Sequence, residues 1–152
     1  MKVEVAWKDG MSFEGSSGAH RLLMDAKSPL GRDAGPTPKE LVAMALGGCT
    51  SMDVIALLKK YRQSARSLRV EIDLSTVEGK HPAVFSGATI HFRAEGDIEP
   101  ERLLEAVRLS QTRYCSVSGM LSKAFPIHYS VELNGAEIGR GEADFTQATK
   151  IP

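Results

Sequence analysis

The chain has 152 residues, in which 19 Lys plus Arg balance 19 Asp plus Glu, and a mean hydropathy of −0.17. That length suits a single domain over residues 1–152 that buries its own core, and the scattered, neutral charge argues against nucleic acid or an anionic membrane surface as the main partner. The opening "MKVEVAWKDG" has no apolar signal-like core, and no stretch reads as the ~18 uncharged apolar residues of a membrane span. The expected setting is therefore cytoplasmic, without a membrane partner and with thiols resting reduced.

The first segment alternates, with Val3, Val5 and Trp7 on one face, the turn signal Asp9-Gly10, and then Met11 and Phe13. This predicts a hairpin. "GSSG" breaks the chain before a third strand, "HRLLMD", and the Gly and Pro content of "AKSPLGRDAGPTP" predicts a loop. A long helix follows in "PTPKELVAMALGGCTSMDVIALLKK": Thr37 and Glu40 form a Thr-x-x-Glu capping box, and Pro38 suits the first helical position. No charge falls between Glu40 and Asp53, so the expectation is a helix buried nearly all round. Gly47 and Gly48 sit in its middle, where each glycine costs about 1 kcal/mol relative to alanine; close packing, a bend or space beside Cys49 would each account for them.

Two alternating strands come next, Leu68 to Leu74 and Ala88 to Ala94. "DIEPERLLEAVRLSQTR" places Pro100 and acids early and Arg113 late, which predicts a second helix, and "YCSVSGMLSKAF" a short third one. "IHYSVEL" is a strand, Asn134-Gly135 a hairpin turn, and "AEIGRGEA" an edge strand within a C-terminal extension, residues 134–152. The order βββ-α-ββ-αα-β(β) predicts an α+β domain with largely antiparallel sheets around a buried central helix. No glycine-rich phosphate loop is present, so no nucleotide cofactor is expected.

The two cysteines, Cys49 and Cys115, lie 66 positions apart and form neither a disulfide framework nor a C-x-x-C motif. Inert core thiols, one reactive thiol with a bystander, and a distant redox pair all remain open. Activation of Cys49 would require a cation from elsewhere, for which Arg21 and Arg32 are candidates, with Glu40 available to orient a guanidinium. Cys115 precedes Ser116 and Ser118 at the start of a helix, where backbone N–H groups could stabilise a thiolate or a serine could simply cap, with Cys115 a packing residue at the helix end. His20, His81, His91 and His128 show no ligand-pair spacing, so no metal is expected, and Asp53, left outside the site, is either a buried partner for a polar group or simply the return of the helix to solvent.

"PTPKELVAMALGGCTSMDVIALLKKYRQ" together with "TRYCSVSGMLSKAF" resembles the OsmC/Ohr superfamily of thiol-dependent hydroperoxide reductases, and in particular its YhfA-like branch. The resemblance runs from the first strand to about Leu133. It implies an intertwined homodimer, Cys49 as the peroxidatic thiol, Cys115 as the resolving thiol, Glu40 as the acidic site residue and an external dithiol as reductant. The Gly-Gly-Arg element of the hydroperoxide-specialised branches is here "GAHRLLMD", so Arg21 matches it only approximately and Arg32 is its rival. The alternative is a stress-associated small-molecule-binding dimer without effective catalysis. Nine helical steps separate Glu40 from Cys49, about 180° and ~13.5 Å on an ideal helix, so within one straight helix the two cannot touch.

Overall fold

A computed structural model describes residues 1–146 of the chain. These form two compact units, Met1–Met44 and the residues from Ala45 onward, with the division falling inside the long helix.

The first unit carries an antiparallel sheet in the order β1 (Glu4–Asp9), β2 (Ser12–Ser17), β3 (His20–Met24), as the hairpin signals predict. Gly10 turns the first hairpin at φ +50°, a left-handed conformation that suits glycine, and the Trp7 indole N–H donates to its carbonyl at 3.0 Å. The following loop is organised by Asp25, whose buried carboxylate accepts from the backbone N–H groups of Ala26, Arg32 and Ala34 at 2.8, 3.1 and 3.2 Å. Burial works to raise its pKa, but these donors together hold the carboxyl below its ordinary value.

Helix α1 (Pro38–Lys60) starts where the capping box places it. Glu40 N–H donates to Thr37 Oγ1 at 3.3 Å, and Thr37 N–H donates to Glu40 Oε2 at 2.7 Å. Lys59 and Lys60 in the last turn complement the helix dipole.

The second unit holds a four-stranded sheet in the order β4 (Ser64–Thr76), β5 (Phe85–Asp97), β6 (Ile127–Leu133), β7 (Ala136–Glu142). The sheets are largely antiparallel, as expected, with one parallel pair: β6 runs parallel to β5. The chain between them crosses over through α2 (Pro100–Leu109), a π-helical turn (Ser110–Tyr114) and α3 (Ser116–Leu121), which returns it to the same end of the sheet. The second helix therefore stops earlier than its sequence pattern suggests. Strand β7 is the expected edge strand; the remainder of the C-terminal extension, 147–152, lies outside the described residues.

Alternation translates directly into burial. Ala88, Ile90, Phe92 and Ala94 of β5 face a core shared with Leu46, Val54, Leu57 and Leu58 of α1, Leu103 and Val107 of α2, and Ile127 and Val131 of β6. The two central glycines of α1 have different surroundings. A Cβ on Gly47 would meet Ile72 Cγ1 of β4 at 3.2 Å, whereas a Cβ on Gly48 would meet nothing within 4 Å.

Within one chain α1 is left open along one row: Met52 is 76% exposed, and Ala45, Gly48 and Ala56 lie exposed with it at four-residue and three-residue steps. It is also long and apolar enough to cross a membrane by length and composition, with a mean hydropathy of 1.9 over its best 18-residue window. Both follow from one cause, a segment that carries apolar residues on faces its own chain does not cover.

Thr37→Ala removes the hydroxyl cap and is expected to lower stability by about 1 kcal/mol in urea denaturation, with Glu40→Gln, which keeps an acceptor for the Thr37 N–H, costing less.

Candidate functional site

Cys49 and Asp53 stand one turn apart on α1, at the i, i+4 spacing that puts both on one face. Cys115 reaches them from the junction between the π turn and α3. The Cys49 and Cys115 sulfurs and an Asp53 carboxylate oxygen all lie within 4.8 Å of one another. Both thiols are reduced, Cys49 half-buried and Cys115 fully buried.

The π turn sets this arrangement. Cys115 N–H donates to Ser110 C=O at 3.0 Å, five residues back, and the wider turn leaves the adjacent side chains of Ser110 and Gln111 both fully buried. Cys115 then leaves the helical path at φ −68°, ψ 102° to cap α3, its sulfur accepting from Ser118 N–H at 3.3 Å. Burial pushes the Cys115 thiol up to about 12; the Ser118 N–H opposes this, while neighbouring Cys49 and Asp53 add to it. The sequence left open whether the helix start would favour a thiolate here, and desolvation decides for the neutral thiol. Burial likewise raises the Asp53 carboxyl, partly offset by the Ser110 hydroxyl.

Beneath the sulfurs runs a chain of buried hydrogen bonds whose direction can be read from its proton count. Ser110 donates its only hydroxyl proton to Asp53 Oδ2 at 3.0 Å, so in its 2.8 Å contact with Thr50 Oγ1 it must accept. Thr50 in turn accepts from Gln111 Nε2 at 2.6 Å, and Gln111 Oε1 accepts from Ser118 Oγ at 2.7 Å. Every link from Ser118 through Gln111, Thr50 and Ser110 points toward Asp53. Among the described residues no buried side-chain N or O lacks a partner.

The remaining candidates belong to the first unit and have partners there. Glu40 closes the capping box and pairs with Lys27 Nζ at 3.2 Å; the Thr37 N–H, then Lys27, hold its carboxyl below the ordinary value. Arg32 pairs with Asp9 at 2.6 Å and touches Ser12 Oγ at 3.3 Å. Arg21 donates to the carbonyls of Gly18 and His20 at 2.8 and 3.0 Å. The histidines of the sheet are occupied as sheet-lining groups: His91 bridges Ser130 and Asp73 at 2.9 and 3.1 Å, and His128 lies 3.9 Å from Glu142.

Sequence reasoning left Asp53 out of the site and gave Thr50, Ser110, Gln111 and Ser118 no role in it. The signal was available in part. Asp53 is the first charge after Cys49 and lies on its face, and of its two readings the structure shows the partner of a polar group, Ser110; the adjacent polar pair Ser110-Gln111 interrupts the apolar period of α2.

A model of the OsmC-like protein family matches residues 31–130. The chain belongs to the OsmC-like family. It is 38% identical over 138 residues to Protein YhfA of Escherichia coli K12, covering 90% of this chain and all of that one. Among solved structures, a hypothetical protein from Aquifex aeolicus VF5 superposes with a TM-score of 0.75 at 27% identity, covering 88% of this chain and 96% of its own. A Legionella pneumophila protein described as an organic hydroperoxide resistance protein OsmC shares the fold at a TM-score of 0.62 and 16% identity, with 86% and 95% covered.

Thr50→Val removes the 2.6 Å acceptor of the Gln111 amide, leaving it only the longer 3.4 Å contact to Ser110 Oγ, and should cost about 1–3 kcal/mol in chemical denaturation. For Cys115 the native thiol holds its proton up to about 12, whereas the unfolded thiol ionises near ~8.5. The native state thus binds the extra proton across that interval, and this contribution, complete below it, is lost as pH rises toward the folded value. Cys115→Ala should flatten the alkaline limb of the stability profile, and in Cys49→Ser the remaining thiol should resist iodoacetamide at neutral pH until the chain is unfolded.

Proposed function

We propose that the chain is a thiol-dependent peroxidase acting on organic hydroperoxides or hydrogen peroxide. The observation that carries this reading is the approach to within 4.8 Å of two reduced sulfurs of unequal exposure. Family membership supports it, as does the naming of the Legionella pneumophila neighbour for organic hydroperoxide resistance.

In the first step the half-exposed Cys49, as thiolate, attacks the peroxide oxygen. An S–O bond forms, the O–O bond breaks, and the departing alkoxide or hydroxide takes a proton to leave as alcohol or water, with Cys49 oxidised to a sulfenic acid. In the second step Cys115 attacks the Cys49 sulfur. The S–S bond forms, the S–OH bond breaks, and the hydroxide leaves as water with the proton that Cys115 gives up. The sulfurs must close from at most 4.8 Å to the ~2.05 Å of a disulfide, a movement within reach of side-chain rotation and a small shift of α3. An external dithiol then supplies two electrons and regenerates both thiols. Neither a cofactor nor nucleic acid enters this cycle.

Arg21 and Arg32 are the candidates for steadying the Cys49 thiolate. The assembly proposed is a homodimer, in a cytoplasmic setting. Exposed Met52 and the small residues Ala45, Gly48 and Ala56 form a face on which a second copy of α1 could pack closely, and Val3, Val5 and Trp7 are exposed along the first strand region.

The test is titration of reduced protein with cumene hydroperoxide or hydrogen peroxide, with thiols followed by mass spectrometry. Wild type should lose both thiols rapidly, Cys115→Ser should accumulate a sulfenic acid at Cys49, and Cys49→Ser should be inert. Slow and equal oxidation of both thiols would instead favour the non-catalytic binding dimer. Sedimentation velocity should give a dimer at micromolar concentration and a smaller species for Met52→Lys; a monomeric wild type would sink the assembly.

A further inference from the structure

We propose that the reduced site binds one thiophilic divalent cation of the Zn²⁺ or Co²⁺ type, through Cys49 Sγ, Cys115 Sγ and an Asp53 carboxylate oxygen. The inference goes beyond the peroxidase reading and does not depend on it, because it concerns the reduced protein without peroxide.

Geometry comes first. The three donor atoms already lie within 4.8 Å of one another. A tetrahedral site with metal–sulfur bonds of ~2.3 Å and metal–oxygen bonds of ~2.0–2.2 Å spaces its ligands roughly 3.5–3.8 Å apart, so the donors need to contract by roughly 1.3 Å at most. Cys49 and Asp53 offer two of them from one face of a long helix, at the same i, i+4 spacing by which paired histidines bind zinc. Cys115 is fixed on the other side by the π turn and by the Ser118 N–H.

The surroundings suit anionic ligands. The Asp53 carboxylate and the Cys115 sulfur each accept a hydrogen bond, from Ser110 Oγ and Ser118 N, and the buried chain of donors behind Ser110 is directed at the carboxylate. Such outer hydrogen bonds orient metal ligands and hold them in their binding form. Thr50, Ser110, Gln111 and Ser118 are all neutral, and among the described residues Asp53 forms no ion pair. A cation seated between the sulfurs would thus offset charge that these groups do not. Two sulfurs and one oxygen select zinc-like ions over magnesium or calcium. The half-buried Cys49 provides access.

Binding expels the thiol protons of Cys49 and Cys115 to solvent and changes no oxidation state. The metal and a peroxide would compete for the same Cys49 lone pair, so the cation would mask the thiol until released.

The test is an anaerobic titration of the reduced, metal-free chain with Co²⁺, reading the sulfur-to-cobalt charge-transfer band in the near ultraviolet and the visible bands of tetrahedral cobalt. One equivalent per chain, displaced by Zn²⁺, is expected. Asp53→Asn should weaken binding by tenfold or more, and Cys49→Ser should lose much of the charge-transfer intensity. A wild type without the band overturns the proposal, as does an Asp53→Asn protein with unchanged affinity. Should the Asp53 variant fail to fold, cobalt X-ray absorption on the wild-type complex decides: two sulfur neighbours per cobalt are expected, and four, meaning a site shared between chains, overturn it.

Discussion

Ser110 has one hydroxyl proton, and giving it to Asp53 decides the direction of every hydrogen bond in the polar layer beneath the two sulfurs. Thr50 must then donate to Ser110, Gln111 to Thr50 and Ser118 to Gln111. A buried polar group without a partner costs on the order of 1–3 kcal/mol, so the layer is stable only when complete. Completeness in turn ties α1 to the π turn and to α3, the elements that present Cys49 and Cys115. The sulfurs meet because the groups beneath them cannot be rearranged one at a time.

The π turn is what makes that layer possible. A regular helix running on through Ser110 would turn its successive side chains by about 100° each and would not deliver Cys115 at a point where the chain straightens. With the extra residue in the turn, Ser110 and Gln111 both face inward, and Cys115 becomes the cap of α3 rather than another residue of α2. The parallel pairing of β5 and β6 belongs to the same construction, since the crossover that carries the π turn brings the chain back for a parallel strand.

The fold was legible where a local rule is strong. Thr37 and Glu40 announce the start of α1, Asn134-Gly135 a hairpin, and Ala88 to Ala94 a strand with one buried face. The parallel pairing was not legible, because alternation reports a face and says nothing of a neighbour's direction. At the site, the glycine-flanked Cys49 and the family resemblance pointed to the two thiols, and the structure brings them together. Asp53 was left outside the site, and the polar layer was missed, because each is an ordinary surface residue type that only tertiary packing makes a buried one. The pattern of α1 implies cover on nearly every side, and within one chain Met52 and Gly48 are left bare.

The unequal burial of the two sulfurs also governs how the chain would age. An electrophile diffusing in from solvent meets Cys49 first and finds Cys115 behind it, fully enclosed and holding its proton. Damage is thereby funnelled to one atom. So long as that atom is only reversibly modified the pair can recover, but a permanent adduct on Cys49 leaves an intact thiol stranded in the interior, preserved and out of reach.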